Sequence, residues 1–412
     1  MQPTSKLKVL VLATIALVGS LTSILAFAQK GETVKIAFID PLSGPFANIG
    51  QNLLSTWQTI GALPNAAGVK YEMVPFDNKA SPQESLNSLK AALDQGIRYI
   101  AQGNGSGAAA AISDAVSKHN DRNPGKEVVF LNYAAVDPAL TNERCSYWHF
   151  RFDADTSMKM EAMAAAMQGD QSVKNVYFLG QNYSHGQQVA KFGKESIARR
   201  RPDIKFVGDE LHPIGQVKDF APYVAKIKQS GADTVVTGNW GADMSLLFKA
   251  AKDSGLNVSW YTYYAGASGT PTAMGTWGEN KVRVVYVHQP NLATTRKMMD
   301  DFKVKHKEDM SSLTIAHAVA VLAGGMAKAK STDPVKFAKA AEGLTVKSFS
   351  GDITMRAADH QLQQTLYATV WKKKDAKNSY DVENTGMTWA PERVFEPYVS
   401  STPTSCQMKR PA

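Results

Sequence analysis

Short apolar runs at 34–39, 71–76, 99–102 and 128–132 are each followed by a longer stretch with the three-to-four-residue apolar spacing of a helix. That alternation constrains the fold more than any other feature of the chain. A strand buried on both faces reads as an unbroken apolar run, and strands joined through helices run parallel. The first 150 residues or so therefore predict a parallel sheet with helices on both faces. Helices are expected at about 50–63, from 81 onwards and at 108–119. The second opens with Ser81-Pro82-Gln83-Glu84, in which Ser is the N-cap, Pro fits the first turn and Glu closes a capping box.

The pattern then starts again. Strands are expected at 176–179, 205–207, 234–237, 259–262 and 282–287, with helices at 155–167, 187–200, 220–229 and 242–254. Longer helical stretches follow at 294–306, 313–330 and 334–342, then a turn at Phe349-Ser350-Gly351-Asp352 and a strand at 366–371. Beyond Lys373 the pattern reads as irregular. Two α/β halves of similar plan predict two lobes with a cleft between them, where a small ligand sits outside the carboxyl ends of the strands.

The N-terminus bears on the compartment. Lys6 and Lys8 precede an apolar run from 9 to 25, and Ala26-Phe27-Ala28 comes before the polar Gln29-Lys30-Gly31-Glu32. Cationic, apolar and small-x-small regions in that order are the layout of a secretory signal peptide. A run of this length is near the lower limit for a membrane anchor. The Ala-Phe-Ala site and the polar turn after it favour cleavage instead, leaving a periplasmic protein that does not span the membrane. No Cys stands at the cleavage point to carry a lipid.

Loss of Lys6 and Lys8 lowers the formal charge from +9 to +7. The basic clusters Arg199-Arg200-Arg201 and Lys372-Lys373-Lys374 lack interleaved aromatic residues on which bases could stack, so no nucleic-acid partner is expected. Cys145 and Cys406 are the two cysteines. In an oxidising compartment a lone pair forms a disulfide, here tying the C-terminal tail to the middle of the chain; two free thiols are the alternative. The eight histidines are scattered, with no His-Glu-x-x-His or Cys-x-x-Cys motif, so neither a metal site nor a cofactor is expected.

The strongest enzyme-like signal is Gly103-Asn104-Gly105-Ser106-Gly107-Ala108, which formally fits a dinucleotide-binding turn. It follows the third strand rather than the first, and the next strand ends in Asn132 where an acid for the ribose would stand. Ser106 is not in a nucleophile elbow either, because Asn104 and Ala108 occupy the outer glycine positions, and Gly266-Ala267-Ser268-Gly269 fails the same test. What the loop suits is an anion: Gly105 and Gly107 permit close approach, the Ser106 hydroxyl donates, and a helix N-terminus presents free N–H groups. A tight strand-to-helix turn with no ligand is the plainer alternative.

At this point the chain resembles the leucine/isoleucine/valine-binding family of type I periplasmic binding proteins. The resemblance is carried by Asp40-Pro41-Leu42-Ser43-Gly44-Pro45-Phe46-Ala47-Asn48-Ile49-Gly50, by Ala134-Ala135 with Asp137-Pro138-Ala139-Leu140-Thr141, by Tyr183-Ser184-His185-Gly186 and by Ala250-Ala251-Lys252-Asp253-Ser254-Gly255-Leu256. It spans about 34–371. It implies two Rossmann-like lobes joined by a three-crossover hinge, with crossings near Phe152, Val287 and Phe349. The lobes would be 29–152 with 287–348 and 153–286 with 349–373, preceded by the signal peptide, 1–28, and followed by a disulfide-tied tail, 374–412. It also implies a monomeric, non-enzymatic binding protein that hands its ligand to the permease subunits of an ABC importer.

In amino-acid-binding members the Ser106 position holds the ligand carboxylate and backbone groups at Ala134-Ala135 assist. The family's next Thr is Val136 here, and its acid for the ligand ammonium falls within Trp260-Tyr261-Thr262-Tyr263-Tyr264, which contains no carboxylate. An ammonium buried without those partners would be unfavourable by several kcal/mol. With Phe46, Ile49, Tyr133, Tyr183, Trp240, Tyr263 and Tyr264 as expected lining, the site suits an aromatic or apolar carboxylate without an α-amino group. A branched-chain amino acid is the other ligand reading, and an extracytoplasmic ligand sensor the other class of function.

Processing is directly measurable. The intact mass of the periplasmic protein should correspond to a chain starting at Gln29, and a membrane-embedded protein still carrying Met1 would contradict the signal-peptide reading.

Overall fold

The computed structural model describes residues 31–411, so the expected signal peptide lies outside the described residues. The first half runs β1 (Thr33–Asp40), α1 (Ala47–Gly61), β2 (Lys70–Asp77), α2 (Pro82–Asp94), β3 (Tyr99–Gln102), α3 (Ser106–Arg122), β4 (Val129–Asn132) and β5 (His149–Arg151). Its strands form a parallel sheet in the order β2-β1-β3-β4-β5. Ile36, Phe38, Ile100, Phe130 and Leu131 are fully buried in it. Each such side chain contributes about 1.5–3 kcal/mol by leaving water. As the capping-box spacing predicts, the Ser81 hydroxyl accepts from the Glu84 N–H (3.4 Å) at the start of α2.

The second half continues with α4 (Thr156–Met167), β6 (Asn175–Gln181), α5 (Ser184–Arg200), β7 (Lys205–His212), α6 (Ala221–Gln229), β8 (Thr234–Thr237), α7 (Ala242–Asp253), β9 (Ser259–Thr262), α8 (Thr270–Met274) and β10 (Val282–Tyr286). Then come α9 (Ala293–His306), α10 (Thr314–Ala329), α11 (Pro334–Ala341), β11 (Thr345–Ser348), β12 (Gly351–Met355), β13 (Leu362–Gln363), β14 (Leu366–Lys373) and β15 (Met387–Phe395). The second sheet has the order β15-β14-β10-β9-β8-β6-β7, parallel from β10 to β7, with β14 and β15 antiparallel at one edge. Helices α9–α11 return to the first sheet's lobe. Asn52 donates to the Asp309 carbonyl (2.8 Å), Tyr99 to the Thr332 carbonyl (2.7 Å) and Arg98 to Asp333 (3.1 Å). Among the described residues no helix is long and apolar enough to cross a membrane.

Three details depart from the sequence reading. The chain beyond Lys373, expected to be irregular, contains β15, which pairs along the whole of β14; its Pro391 and run of charged residues masked the strand pattern. Residues 349–363, expected in the second lobe, instead carry β12 and β13, which pair with β11 in the small antiparallel sheet β11-β12-β13, with Gln361 bridged to Arg151 at the end of β5. The chain joins the second sheet only at Leu366. Helix α3 starts at Ser106 rather than Ala108, because Gly105 at its N-cap takes φ +92°, a conformation open mainly to glycine.

Cys145 and Cys406 are joined by a disulfide, their Cα atoms 5.7 Å apart. Thr404 donates to the Thr141 carbonyl (2.6 Å) and the Ser405 N–H to Asn142 Oδ1 (3.0 Å) beside it. A link across 261 residues removes enough freedom from the unfolded chain for about 5 kcal/mol in the loop-entropy model. Denatured, unreduced protein should yield no alkylatable thiol, and Cys406→Ser should lower stability by up to about that amount in a denaturant titration.

Candidate functional site

The strands of the first sheet end in polar residues, and those residues shape the loops that follow. Asp40, Gln102 and Asn132 close β1, β3 and β4, all fully buried. The Asp40 carboxylate accepts from the Gly103 N–H (3.2 Å), the Asn104 N–H (2.8 Å) and the Tyr133 hydroxyl. Burial pushes its pKa up to about 7 against the pull of those donors. Gln102 donates to the Asn104 carbonyl (2.7 Å). Gly103 must be glycine, since a Cβ there would lie 2.6 Å from the Tyr133 ring. Together these bonds hold the glycine loop in the shape that starts α3.

At that start Ser106 is the first helical residue, 3% exposed, and its hydroxyl pairs with no other described group. The first intrahelical bond is made by the Ala109 N–H to the Gly105 carbonyl. The N–H groups of Ser106, Gly107 and Ala108 precede it and lack such a partner, which gives this end its partial positive charge. The Ala134 and Ala135 N–H groups differ from expectation. Both point to Asn132 Oδ1, at 3.3 and 2.8 Å, so they are already occupied.

The opposite wall comes from strand ends of the second sheet. Gln181, closing β6, donates to Asp243 (2.7 Å) and to the Trp240 carbonyl (3.3 Å). The Trp240 indole N–H donates to the Tyr183 hydroxyl (2.9 Å). His185 lies behind these rings, edge-on to Tyr263 and Tyr264, and burial pushes its pKa down to about 3, so it is neutral. Between the two walls is a cavity of about 570 Å³, its mouth included.

Ile49, Gly105, Ser106, Ala134, Ala135, Val136, Tyr183, Trp240 and Tyr264 are brought together on this cavity. Four expected residues are not. Gly107 is exposed on the helix. Tyr133 lies beneath the glycine loop, bonded to Asp40 and edge-on to Trp57. The Tyr263 hydroxyl donates to the Thr156 carbonyl (3.0 Å) in α4. Phe46 reaches across from the first lobe and stacks on Trp240 with ring centroids 4.2 Å apart, over Gly241, where a Cβ would lie 2.6 Å from its ring. Phe46 therefore fastens one lobe to the other, and the Asn48 side chain does the same by donating to the Ser268 carbonyl (3.1 Å).

Sequence reasoning missed Asp153, Tyr286, Ser311 and Ser312, which also line the cavity. Asp153 Oδ2 meets Lys159 Nζ at 2.6 Å with both side chains buried, and Lys159 sits over the Tyr264 and Tyr286 rings. Burial raises the Asp153 pKa, while Lys159 and the Ala154 N–H oppose the rise. Oδ1 has no hydrogen-bond partner of good geometry. The signal for this pair was the charged cluster Arg151, Asp153, Asp155 and Lys159 inside an otherwise apolar stretch at the expected first crossing. The cavity thus presents a helix N-terminus with free donors on one wall, aromatic faces on the other, and an internally neutralised ion pair between.

Comparison with known proteins agrees with this architecture. A family model described as periplasmic binding protein matches residues 33–377. A Leu/Ile/Val-binding protein homolog 4 of Brucella abortus (strain 2308) is 31% identical over 408 residues, covering 94% of this chain and 95% of that one. The closed crystal structure of a leucine-, isoleucine-, valine-, threonine- and alanine-binding protein from Brucella ovis has a TM-score of 0.81 at 30% identity, covering 92% of this chain and 100% of that one. A solute-binding protein of an ABC transporter from R. palustris, in complex with 4-hydroxybenzoate, shares the fold with a TM-score of 0.73 at 19% identity, over 89% and 97% of the two chains. The chain belongs to the periplasmic binding protein family, solute-binding proteins rather than enzymes.

Proposed function

We propose that the protein captures a small aromatic or apolar carboxylate lacking an α-amino group and delivers it to the permease of an ABC importer. The observation that carries this reading is the juxtaposition of the Ser106 hydroxyl and helix N-terminus, without protein partners among the described residues, with the faces of Tyr183, Trp240, Tyr264 and Tyr286 across one cavity. The carboxylate accepts from Ser106 and the first-turn N–H groups of α3, and the rings cover the apolar body. The solute-binding protein of the same fold that holds 4-hydroxybenzoate supports the ligand class by analogy of architecture.

A second reading, a branched-chain amino acid, is favoured by Asp153. Its Oδ1 could accept from a ligand ammonium, a role for which the sequence offered no acid at 260–264. The Leu/Ile/Val-binding names of the Brucella relatives point the same way. The first reading is preferred because Lys159, 2.6 Å away, already balances the Asp153 charge, and a ligand hydroxyl satisfies Oδ1 without adding a cation beside Lys159.

Two measurements test the proposal. Ser106→Ala removes one hydrogen bond to a charged group, about 1.5–3 kcal/mol or roughly 10- to 150-fold in affinity by calorimetry, with the fold intact. A thermal-shift screen should pair each acid with its amino-acid counterpart, phenylpropionate with phenylalanine and 4-methylpentanoate with leucine. At 100 times its dissociation constant a ligand adds about 2.7 kcal/mol, and each kcal/mol raises the melting temperature of a domain of 150–250 residues by about 2–4 °C. The acids should shift the melt. A shift by leucine, isoleucine or valine without their deaminated partners would establish the amino-acid reading instead.

A further inference from the structure

We propose that a second chamber, on the far side of Tyr286 and Ser311 from the first, accepts the uncharged distal end of a longer ligand whose carboxylate sits at Ser106. The chamber encloses about 520 Å³, its mouth included, and Tyr286 and Ser311 line both cavities. The inference rests on the carboxylate reading above.

The partition is one residue thick. Ala267 lines the first cavity while its neighbours Gly266 and Ser268 line the second, and Ser312 lines the first while Met310 lines the second. The Tyr286 hydroxyl donates to the Ser311 carbonyl (3.1 Å), so one hydrogen bond latches the ring in the dividing wall.

The two chambers differ in chemistry. The first presents free N–H groups of a helix terminus. In the second, every carboxylate on the wall is already engaged. Glu383 accepts from the Gly269 N–H (2.6 Å), the Thr272 N–H (2.8 Å) and the Thr272 hydroxyl (2.5 Å). Asp309 accepts from the Glu383 N–H (2.6 Å) and pairs with Lys303 (2.9 Å). Burial pushes the His288 pKa down to about 3, leaving a neutral ring. A charged group finds no counter-ion there.

Four polar side-chain atoms in that wall lack a hydrogen-bond partner: Trp389 Nε1, His288 Nδ1, the Tyr380 hydroxyl and Asp309 Oδ1, the last ion-paired with Lys303. Trp389 is 5% and His288 8% exposed. Buried N–H groups are ordinarily paired, and an indole nitrogen can only donate. Gly266 stands against the indole N–H, where a Cβ would lie 3.4 Å away. Apolar walls from Met299, Met310 and Tyr380, with a donor waiting, fit an aromatic or apolar tail carrying one acceptor, such as a ketone or ether oxygen.

Titration calorimetry on the processed full chain tests this with ω-benzoylalkanoates of increasing length, each against the ω-phenylalkanoate of equal length that lacks the ketone. Short members should bind alike in both series. Once the tail reaches the chamber, the ketone series should gain about 10-fold over its partner, the worth of one hydrogen bond. Trp389→Phe, which keeps a ring and removes the N–H, should erase that gain, and Tyr286→Phe, which removes the latch, should strengthen binding of the long members of both series. Long acids that fail to bind while short ones do, or a ketone gain indifferent to Trp389→Phe, would overturn the proposal and leave the carboxylate reading standing. If acids of every length fail to bind, both fall.

Discussion

The buried guanidinium of Arg151 is the interaction on which the relation between the lobes depends. It lies at the end of β5, 0% exposed, and donates to Asp155 Oδ2 (3.0 Å), the Asp137 carbonyl, the Thr141 hydroxyl and Gln361 Oε1. Those acceptors belong to the loop after β4, the N-cap of α4 and the segment leading into β14. A cation in such a place is tolerated only when its donors are met, and removing one member of a buried pair typically costs about 3–5 kcal/mol. The crossing segments are braced further by Gln361 donating to the Asp153 carbonyl and Gln364 to the Phe152 carbonyl, both at 2.9 Å. Two chain crossings therefore run side by side as one connected unit, which sets where the two walls of the cavity meet.

The same economy operates at the strand ends. Each sheet stops at buried polar side chains that bind loop backbone: Gln102 and Asn132 hold the loop after their own strand, Asp40 the loop after β3, and Gln181 the loop after β8. The loops need not be ordered by the ligand, so less conformational entropy is lost on binding. Asn132 illustrates the trade-off, because the bonds that stiffen its turn occupy the Ala134 and Ala135 N–H groups. The Ser106 hydroxyl and the first turn of α3 are left with free donors facing the cavity.

Closure of the lobes follows from aromatic packing across the cleft. Phe46 packs on Trp240 across the cleft, and Trp240 is in turn anchored to Tyr183. Behind them the Asp153–Lys159 pair is balanced within itself and shielded by Tyr264 and Tyr286. With charge cancelled there, the proposed carboxylate reading leaves selection to the Ser106 end and to shape. Tyr286 belongs to this arrangement and to the wall of the second chamber, so any ligand that moves it acts on both.

The alternation of apolar runs and helical stretches determined the fold class, the two sheets and most element positions, because burial on both faces writes itself into local sequence. The glycine loop and Ser106 were legible for the same reason: a strand, a tight turn and a helix start are contiguous. Rings were harder to assign. Tyr133, Tyr263 and Phe46 have the composition of a ligand cavity, yet they serve a loop, a helix and the contact between lobes. Only the tertiary structure decided that Asp153, Tyr286 and Ser311 share a cavity with Ser106, since no spacing in the chain encodes the approach of two sheets. It also decided their chemistry: desolvation sets which charges are paired and which oxygen is left free, and desolvation exists only once the lobes have packed.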